Sequence, residues 1–209
     1  MENQASKPSG WIGRLLLRNM NKRHSGVTDW GLSHIAIPAS GAILDIGCGG
    51  GRTIAKLAAK SPGAFVFGVD HSADSVKLTS RTNSLLVSTA RVEVRLGSVS
   101  QIPYPAGKFD LVTAIETHFW WPDLPGDVRE VFRIVKPGGR FAIVSEVYRG
   151  AGTRMANACE IHAPRIGMTL LTPDEHRPLL SNAGFIDVEI ATLPEKGWIC
   201  ATATKPPAL

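Results

Sequence analysis

Little in this sequence can staple a fold together or anchor it to a membrane. Cysteine occurs three times in 209 residues, at Cys48, Cys159 and Cys200, an odd and widely spaced set with no CxxC pair. Neither a disulfide framework nor a zinc knuckle fits that pattern, and a reducing, cytoplasmic compartment is expected. Apolar runs such as Ile35–Ile37 and Phe141–Val144 are far shorter than the roughly 18 residues of a membrane span. Near the start, Leu15–Leu17 is too short for a secretory core and follows Glu2. Charge is not lopsided either: 23 basic against 18 acidic residues leave +5, an ordinary solvated surface that does not require a polyanion. No GK[ST] element is present, which excludes a phosphate-cradling P-loop.

What the sequence does have is alternation. After a polar tail over residues 1–10, Ile12, Leu15, Leu16 and Met20 fall at helical spacing, and Arg14, Arg18 and Lys22 form a basic stripe beside them. We expect residues 1–40 to form a helical cap or lid segment. From residue 41 short apolar runs alternate with helical segments. Strands are expected at Ala42–Ile46, Phe65–Val69, Arg91–Leu96, Phe109–Ile115 and Arg140–Glu146. Helices are expected at Arg52–Ala59, Ser72–Ala90, Asp127–Val135 and Thr172–Asn182, the last opening with a Thr-Pro-Asp-Glu capping box. Lys136-Pro137-Gly138-Gly139 reads as a helix stop followed by a turn. Phe185–Ile190 and Trp198–Thr204 close the chain as a hairpin. This pattern predicts an α/β fold, a doubly wound, Rossmann-like, seven-stranded and mainly parallel sheet with a C-terminal antiparallel hairpin. Ligands of such sheets bind at the carboxyl ends of the strands, near the switch point.

Two loops at that end carry chemistry. Asp45-Ile46-Gly47-Cys48-Gly49-Gly50-Gly51-Arg52 follows the first strand, and its glycines permit a sharp turn and close approach to a ligand. A dinucleotide fingerprint would need glycine where Arg52 stands, and Asp45 would repel a pyrophosphate while suiting a cationic amino-acid moiety. Asp70, at the end of the second strand, is placed to accept hydrogen bonds from ribose hydroxyls.

ILDIGCGGG with VFGVD, then GKFDLVTAIE and RIVKPGGRFAIV, resembles the class I S-adenosylmethionine-dependent methyltransferases, in particular the broad small-molecule, type 11-like group. The resemblance spans about residues 41–147. It implies S-adenosylmethionine as cofactor, S-adenosylhomocysteine as product and no metal. It further implies that Gly47, Cys48, Gly49 and Gly51 line the methionine part, with Asp45 near its ammonium group. Asp70 and His71 would face the ribose side, and Ser98 and Val99 the adenine. Ser98 departs from the family pattern, which often has an acidic residue there. Glu116 would line the methionine side.

The acceptor is less legible. His118 is the candidate general base, since an ordinary imidazole titrates near neutrality, and Glu116 is its candidate companion. Trp30, Trp120 and His162 are candidate acceptor contacts. Residues 147–171 read as an insert covering the acceptor pocket. The expected activity is methyl transfer to a small or medium metabolite through an O, N, S or carbon nucleophile. No nucleic acid and no membrane span are expected, and a homodimer is the candidate assembly. One rival reading is an RNA or protein methyltransferase, although no [N/D]PP[Y/F] element follows the fourth strand. The other is a cofactor-binding protein without transfer activity.

Overall fold

The computed structural model describes residues 25–208. The basic helix expected over Trp11–Arg23 lies outside them. Seven strands form one sheet: β1 (Ser40–Ile46), β2 (Gly63–Asp70), β3 (Val92–Leu96), β4 (Phe109–Ile115), β5 (Val135–Ser145), β6 (Ile186–Leu193) and β7 (Trp198–Thr204). Their order is β3-β2-β1-β4-β5-β7-β6. The first five are mutually parallel, and β7 runs antiparallel to both β5 and β6. The chain winds outward from β1 to β3, then crosses back to β4 on the other side of β1. The switch point therefore lies between the ends of β1 and β4.

Both faces of the centre are buried, which is why these strands read as nearly continuous apolar runs. Leu44, Val112, Phe141 and Ile143 pack on one face against α5 (Leu124–Ile134) and against Leu180 of α7 (Pro173–Ser181). Ile43, Leu111, Ala142 and Val144 pack on the other against α1 (Ser25–Ser33) and α2 (Arg52–Lys60). Helix α1 belongs to this core: Val27, Leu32 and Ile35 share a cluster with β1, and Gly31 sits so close to Val144 that a Cβ there would lie 2.5 Å from a Val144 methyl. The described part of the expected cap segment thus packs on the sheet.

Three local expectations need correction. The helix expected over Ser72–Ala90 is two helices, α3 (Ala73–Thr82) and α4 (Ser84–Ser88). Asn83 separates them, with its amide donating to the carbonyls of Gly51 and Thr79, both at 3.0 Å. The Lys136–Gly139 stretch is not a free turn but an irregular part of β5. Val135 pairs with Phe109 and Arg140 with Leu111, so extra residues bulge out, and Gly138 has a φ of 76°. The insert carries a helix the sequence pattern did not announce, α6 (Arg154–Ile166), capped by Thr153. Val147, Ala156, Ala163 and Leu170 give this lobe a small cluster of its own.

Polar residues brace the end of the sheet away from the switch point. The Asp110 carboxylate accepts from the Ala42 N–H at 2.8 Å and from Lys136 Nζ at 2.9 and 2.8 Å, tying β1, β4 and β5 together. Glu130 and Arg133 of α5 hold the loop before β4 through the Ile102 N–H and the carbonyls of Ile102 and Tyr104. No described helix is long and apolar enough to cross a membrane.

Asp110→Ala strands the Ala42 N–H and frees Lys136, so it should cost about 1–3 kcal/mol of stability. Urea denaturation should show a lower midpoint, while ligand affinity at the far end of the sheet stays at the parent value.

Candidate cofactor site

A cleft of about 350 Å³ opens at the switch point. Gly47 and Thr117 meet across its floor, and Asp70, His71, Ser98 and Val99 line one side. Trp120, Trp121 and Pro122, from the segment after β4, line the other.

The glycine loop is fixed by backbone demands. Gly47, Gly49 and Gly51 have φ of 71°, 52° and 79°, the left-handed region where a Cβ is unfavourable. Gly47 donates to the Val69 carbonyl at 2.8 Å, so the loop folds back over the end of β2. At Gly47 a Cβ would lie 2.3 Å from Thr117 Oγ1, which makes glycine obligatory at this approach. Gly51 faces away from the cleft, and a Cβ there would meet Asn83 at 2.6 Å, so its role is to let α2 pack.

Asp70 ties the loop to β2. Its Oδ2 accepts from the Gly49 N–H and its Oδ1 from the Ser72 N–H, both at 2.9 Å. Burial pushes its carboxyl up, opposed by those two N–H groups and by His71. Ser72 begins α3 by accepting from the Ser75 N–H.

Asp45 lies beneath the loop, 2% exposed, accepting from the Thr113 hydroxyl at 2.8 Å. Burial pushes its carboxyl up to about 7, against the Thr113 hydrogen bond and helped by the nearby Asp70. Cys48 turns its thiol inward, where Thr79 Oγ1 lies 3.6 Å away. Burial, then Asp70 and Asp45, push that thiol well above its ordinary range, which disfavours the thiolate. Only its backbone belongs to the loop.

Of the residues expected at the site, the structure gathers Gly47, Asp70, His71, Ser98, Val99 and Trp120 around the cleft. Others are placed elsewhere, for physical reasons. Glu116 has a φ of 60° and turns its carboxylate to the Glu146 N–H at the end of β5. His118 is 2% exposed, its ring 5.5 Å from that of His176 on α7. Burial and the neighbouring His176 push its pKa well below the ordinary value, so it is neutral. Trp30 packs on Trp198 and His34, on the face of the sheet covered by α1. His162 is exposed on α6. The pattern had no period that could separate His118 from its lining neighbours Thr117 and Trp120, because a three-residue 3₁₀ turn (His118–Trp120) rotates each side chain differently. Thr117, Trp121 and Pro122 were missed as lining residues. The position of Thr117 follows from the switch-point rule, since it lies just past the end of β4, the strand beside β1. Among the described residues no group of three or more His, Cys, Asp or Glu could hold a metal ion.

Comparison with known proteins bears on the family and the fold. Residues 44–143 match the family model of a methyltransferase domain. The uncharacterized methyltransferase YdaC of Bacillus subtilis (strain 168) is 25% identical over 189 residues, covering 90% of this chain and 96% of the relative. A second relative, the nocamycin O-methyltransferase of Saccharothrix syringae, is 34% identical over 106 residues, covering 50% of this chain and 38% of its own length. A chain from the Haloferax volcanii complex between the Trm112 methyltransferase activator and a methyltransferase superposes with a TM-score of 0.80, at 19% identity and 99% coverage of both chains. Residues 44–143 are thus a methyltransferase domain, and the fold of the chain is that of the class I S-adenosylmethionine-dependent methyltransferases.

The residues of this methyltransferase fit the cofactor. Gly47 lines the cleft where Thr117 packs against it, and two buried acids beside the loop suit a molecule with positive charge. Because the folded Asp45 titrates near 7 while an unfolded aspartate titrates near 3.8, the unfolded chain releases its proton first as pH rises. Stability of the ligand-free methyltransferase should therefore fall between about pH 4 and 7 on account of this group. Asp45→Asn should be more stable than the parent above pH 7, the gap closing toward pH 4. Urea titrations across that range test it, and parallel curves for the two proteins would refute the assignment.

Proposed function

We propose that this methyltransferase modifies a small or medium metabolite by in-line displacement, with the nucleophile an O, N, S or carbon atom. The observation that carries the reading is how the acceptor side of the cleft is built. Trp120, Trp121 and Pro122 wall it with apolar surface. The lobe over residues 147–171 joins that wall directly, its Thr169 N–H donating to the Phe119 carbonyl at 2.8 Å. An apolar, aromatic-walled cleft suits a compact acceptor better than a polyanion, which needs a basic surface. The nocamycin O-methyltransferase, by its name, supports the same class.

When bound, S-adenosylmethionine supplies a methyl group on a positively charged sulfur, already activated toward a nucleophile. The remaining work falls to the chain. Asp70 accepts the ribose hydroxyls with lone pairs not used by Gly49 and Ser72. His71 would share the ribose side with Asp70, and Ser98 and Val99 would face the base. Gly47 lets the amino-acid end approach the backbone, and Asp45 offers it a carboxylate from below. Trp120 presents an aromatic face to the reacting region. Holding two reactants in line and excluding water accounts for most of the acceleration in such a site. His118 serves structure in this reading and is not the base.

A second reading has a specific observation behind it: the Haloferax neighbour was solved with an activator protein. Under it, this chain works with a protein partner and on a macromolecule. The basic stripe Arg14, Arg18 and Lys22, outside the described residues, would favour RNA as that acceptor. Release of S-adenosylhomocysteine, measured across panels of small metabolites, RNA and protein, separates the readings. Turnover on RNA or protein alone overturns the metabolite assignment, and cofactor binding without turnover on any panel favours a binding protein.

Asp70→Ala removes charge-assisted hydrogen bonds worth about 1.5–3 kcal/mol each. Calorimetry should show S-adenosylhomocysteine affinity reduced at least tenfold. Unchanged affinity would remove Asp70 from the ribose site.

A further inference from the structure

The two edges of the sheet are not protected alike. β6 carries features that keep a free edge from pairing. Its register against β7 shifts between Ile186 and Glu189, and Asp187 there has a left-handed φ of 51°. Arg177 of α7 also donates to the Val188 carbonyl at 2.8 Å. β3 is regular instead. It pairs with β2 without a break from Val92 to Leu96, and among the described residues no strand lies beyond it.

The contacts at the two ends of β3 set the direction of its open backbone groups. The Arg91 carbonyl accepts from the Val66 N–H, and the Gly97 N–H donates to the Asp70 carbonyl, both at 3.0 Å. Residues 91, 93, 95 and 97 therefore turn toward β2, and Val92, Val94 and Leu96 turn their N–H and C=O groups away from the sheet. The side chains alternate too. Glu93 and Arg95 stand on one face as an ion pair. Tyr104 steadies both: its hydroxyl donates to Glu93 at 3.3 Å, and its ring lies 4.5 Å from the Arg95 guanidinium. On the other face Leu96 is 58% exposed, and α4, which leads into β3, exposes Leu85 and Val87.

About its central residue, Val-Glu-Val-Arg-Leu is complementary to itself. We propose that β3 pairs antiparallel with β3 of a second copy of this chain, about a two-fold axis at Val94. Val94 then exchanges hydrogen bonds with Val94 of the second copy, and Val92 with Leu96 of the second copy. Those are the residues whose backbone groups point outward. Between them Glu93 meets Arg95 of the second copy, twice by symmetry, at the non-hydrogen-bonded positions where side chains come closest. Sliding the register one step either way sets Glu93 against Glu93 or Arg95 against Arg95, so charge selects the alignment. Leu96 comes beside Val92 of the second copy, at the end of the strand where α4 is tied on by the Arg91 N–H to the Leu86 carbonyl at 2.8 Å. Exposed apolar surface is thereby covered from both sides, and the contact closes as a symmetric dimer. The pairing does not depend on which acceptor is methylated.

Sedimentation velocity of the full chain over a concentration series should show a monomer–dimer equilibrium. Glu93→Arg puts an arginine opposite Arg95, and Arg95→Glu puts a glutamate opposite Glu93. Each makes two like-charge pairs, and should raise the dimer dissociation constant roughly tenfold or more. Mixing the two variants restores both opposite-charge pairs, so native mass spectrometry should find the mixed dimer in excess of either homodimer. The exchanged variant Glu93→Arg/Arg95→Glu should dimerise like the parent. Val94→Pro removes an N–H that faces away from β2, so it should fold and stay monomeric. Thermal melts of every variant check folding, and if Val94→Pro does not fold the charge variants decide. Hydrogen exchange at Val92, Val94 and Leu96 of the parent should slow as concentration rises. A parent that stays monomeric throughout overturns the proposal. So does a dimer indifferent to the charge variants, which forms through another surface. Two variants that dissociate alone and do not pair when mixed overturn the antiparallel register.

Discussion

The two hydrogen bonds on the Asp70 carboxylate are the constraint on which the site depends. One oxygen receives the Gly49 N–H from the loop after β1, the other the Ser72 N–H that opens α3. A single side chain therefore sets the distance between the glycine loop, the end of β2 and the helix that follows. Thr79 of α3 continues the same joint by donating to the Gly49 carbonyl at 2.8 Å, and Asn83 by donating to the Gly51 carbonyl. The loop's backbone groups are spoken for on one side, so the other side is free to face a ligand. A carboxylate held this way is preorganised, and would meet a ligand's donors without having to reorder.

That arrangement concentrates negative charge where burial disfavours it. Asp45, Asp70 and the Cys48 thiol lie close enough to influence one another, and each is pushed toward its protonated form. In the ligand-free chain the cluster is a source of strain, only partly relieved by Thr113 and the loop N–H groups. A ligand with a sulfonium and an ammonium group relieves it, because an opposite charge nearby favours the ionised carboxylate. Stability and ligand affinity are therefore set against each other at Asp45. The buried imidazoles behave in the opposite sense. His118 and His176 are both held neutral by burial, and neither His118 Nδ1 nor His176 Nε2 has a partner among the described residues. His176 is fixed from its other side by donating to the Thr172 carbonyl at 2.8 Å. Their cost grows as pH falls through about 6.5, whereas that of Asp45 grows as pH rises.

Most of the architecture could be read from the sequence because it rests on short-range rules. The strand and helix alternation, the antiparallel end and the Thr172–Glu175 capping box all follow from period and cap chemistry, and the structure contains each. The departures come from longer-range contacts. Asn83 interrupts a helical pattern because the Gly51 carbonyl, 32 residues away in the chain, needs a donor. The Lys136–Gly139 stretch joins a strand because Asp110 and the chain end at Lys205 pair with it. Trp30 was an attractive acceptor contact by residue type, yet its ring is wanted by Trp198. No periodicity encodes those partners.

The residues that made the resemblance recognisable divide into two groups with different physical duties. Asp45, Gly47, Gly49 and Asp70 shape the cleft. Asp110 and Lys136, from the FDLV and KPGG stretches, brace the opposite end of the sheet, and Glu130 and Arg133 brace the loop before β4. Both groups answer to requirements that any chain with this fold and cofactor must meet. The acceptor side answers to none of them. Its wall is a 3₁₀ turn, and the lobe that adjoins this turn carries α6, a helix whose small cluster is nearly separate from the main core. Such a lobe can change its lining without disturbing the sheet, since few core contacts cross to it. The family model over residues 44–143 therefore speaks for the methyl donor, while the aromatic wall of the cleft stands at residues 120–122 and the adjoining lobe over 147–171 falls beyond the match. Specificity in this protein is to be sought there, where the chain is least constrained by its fold.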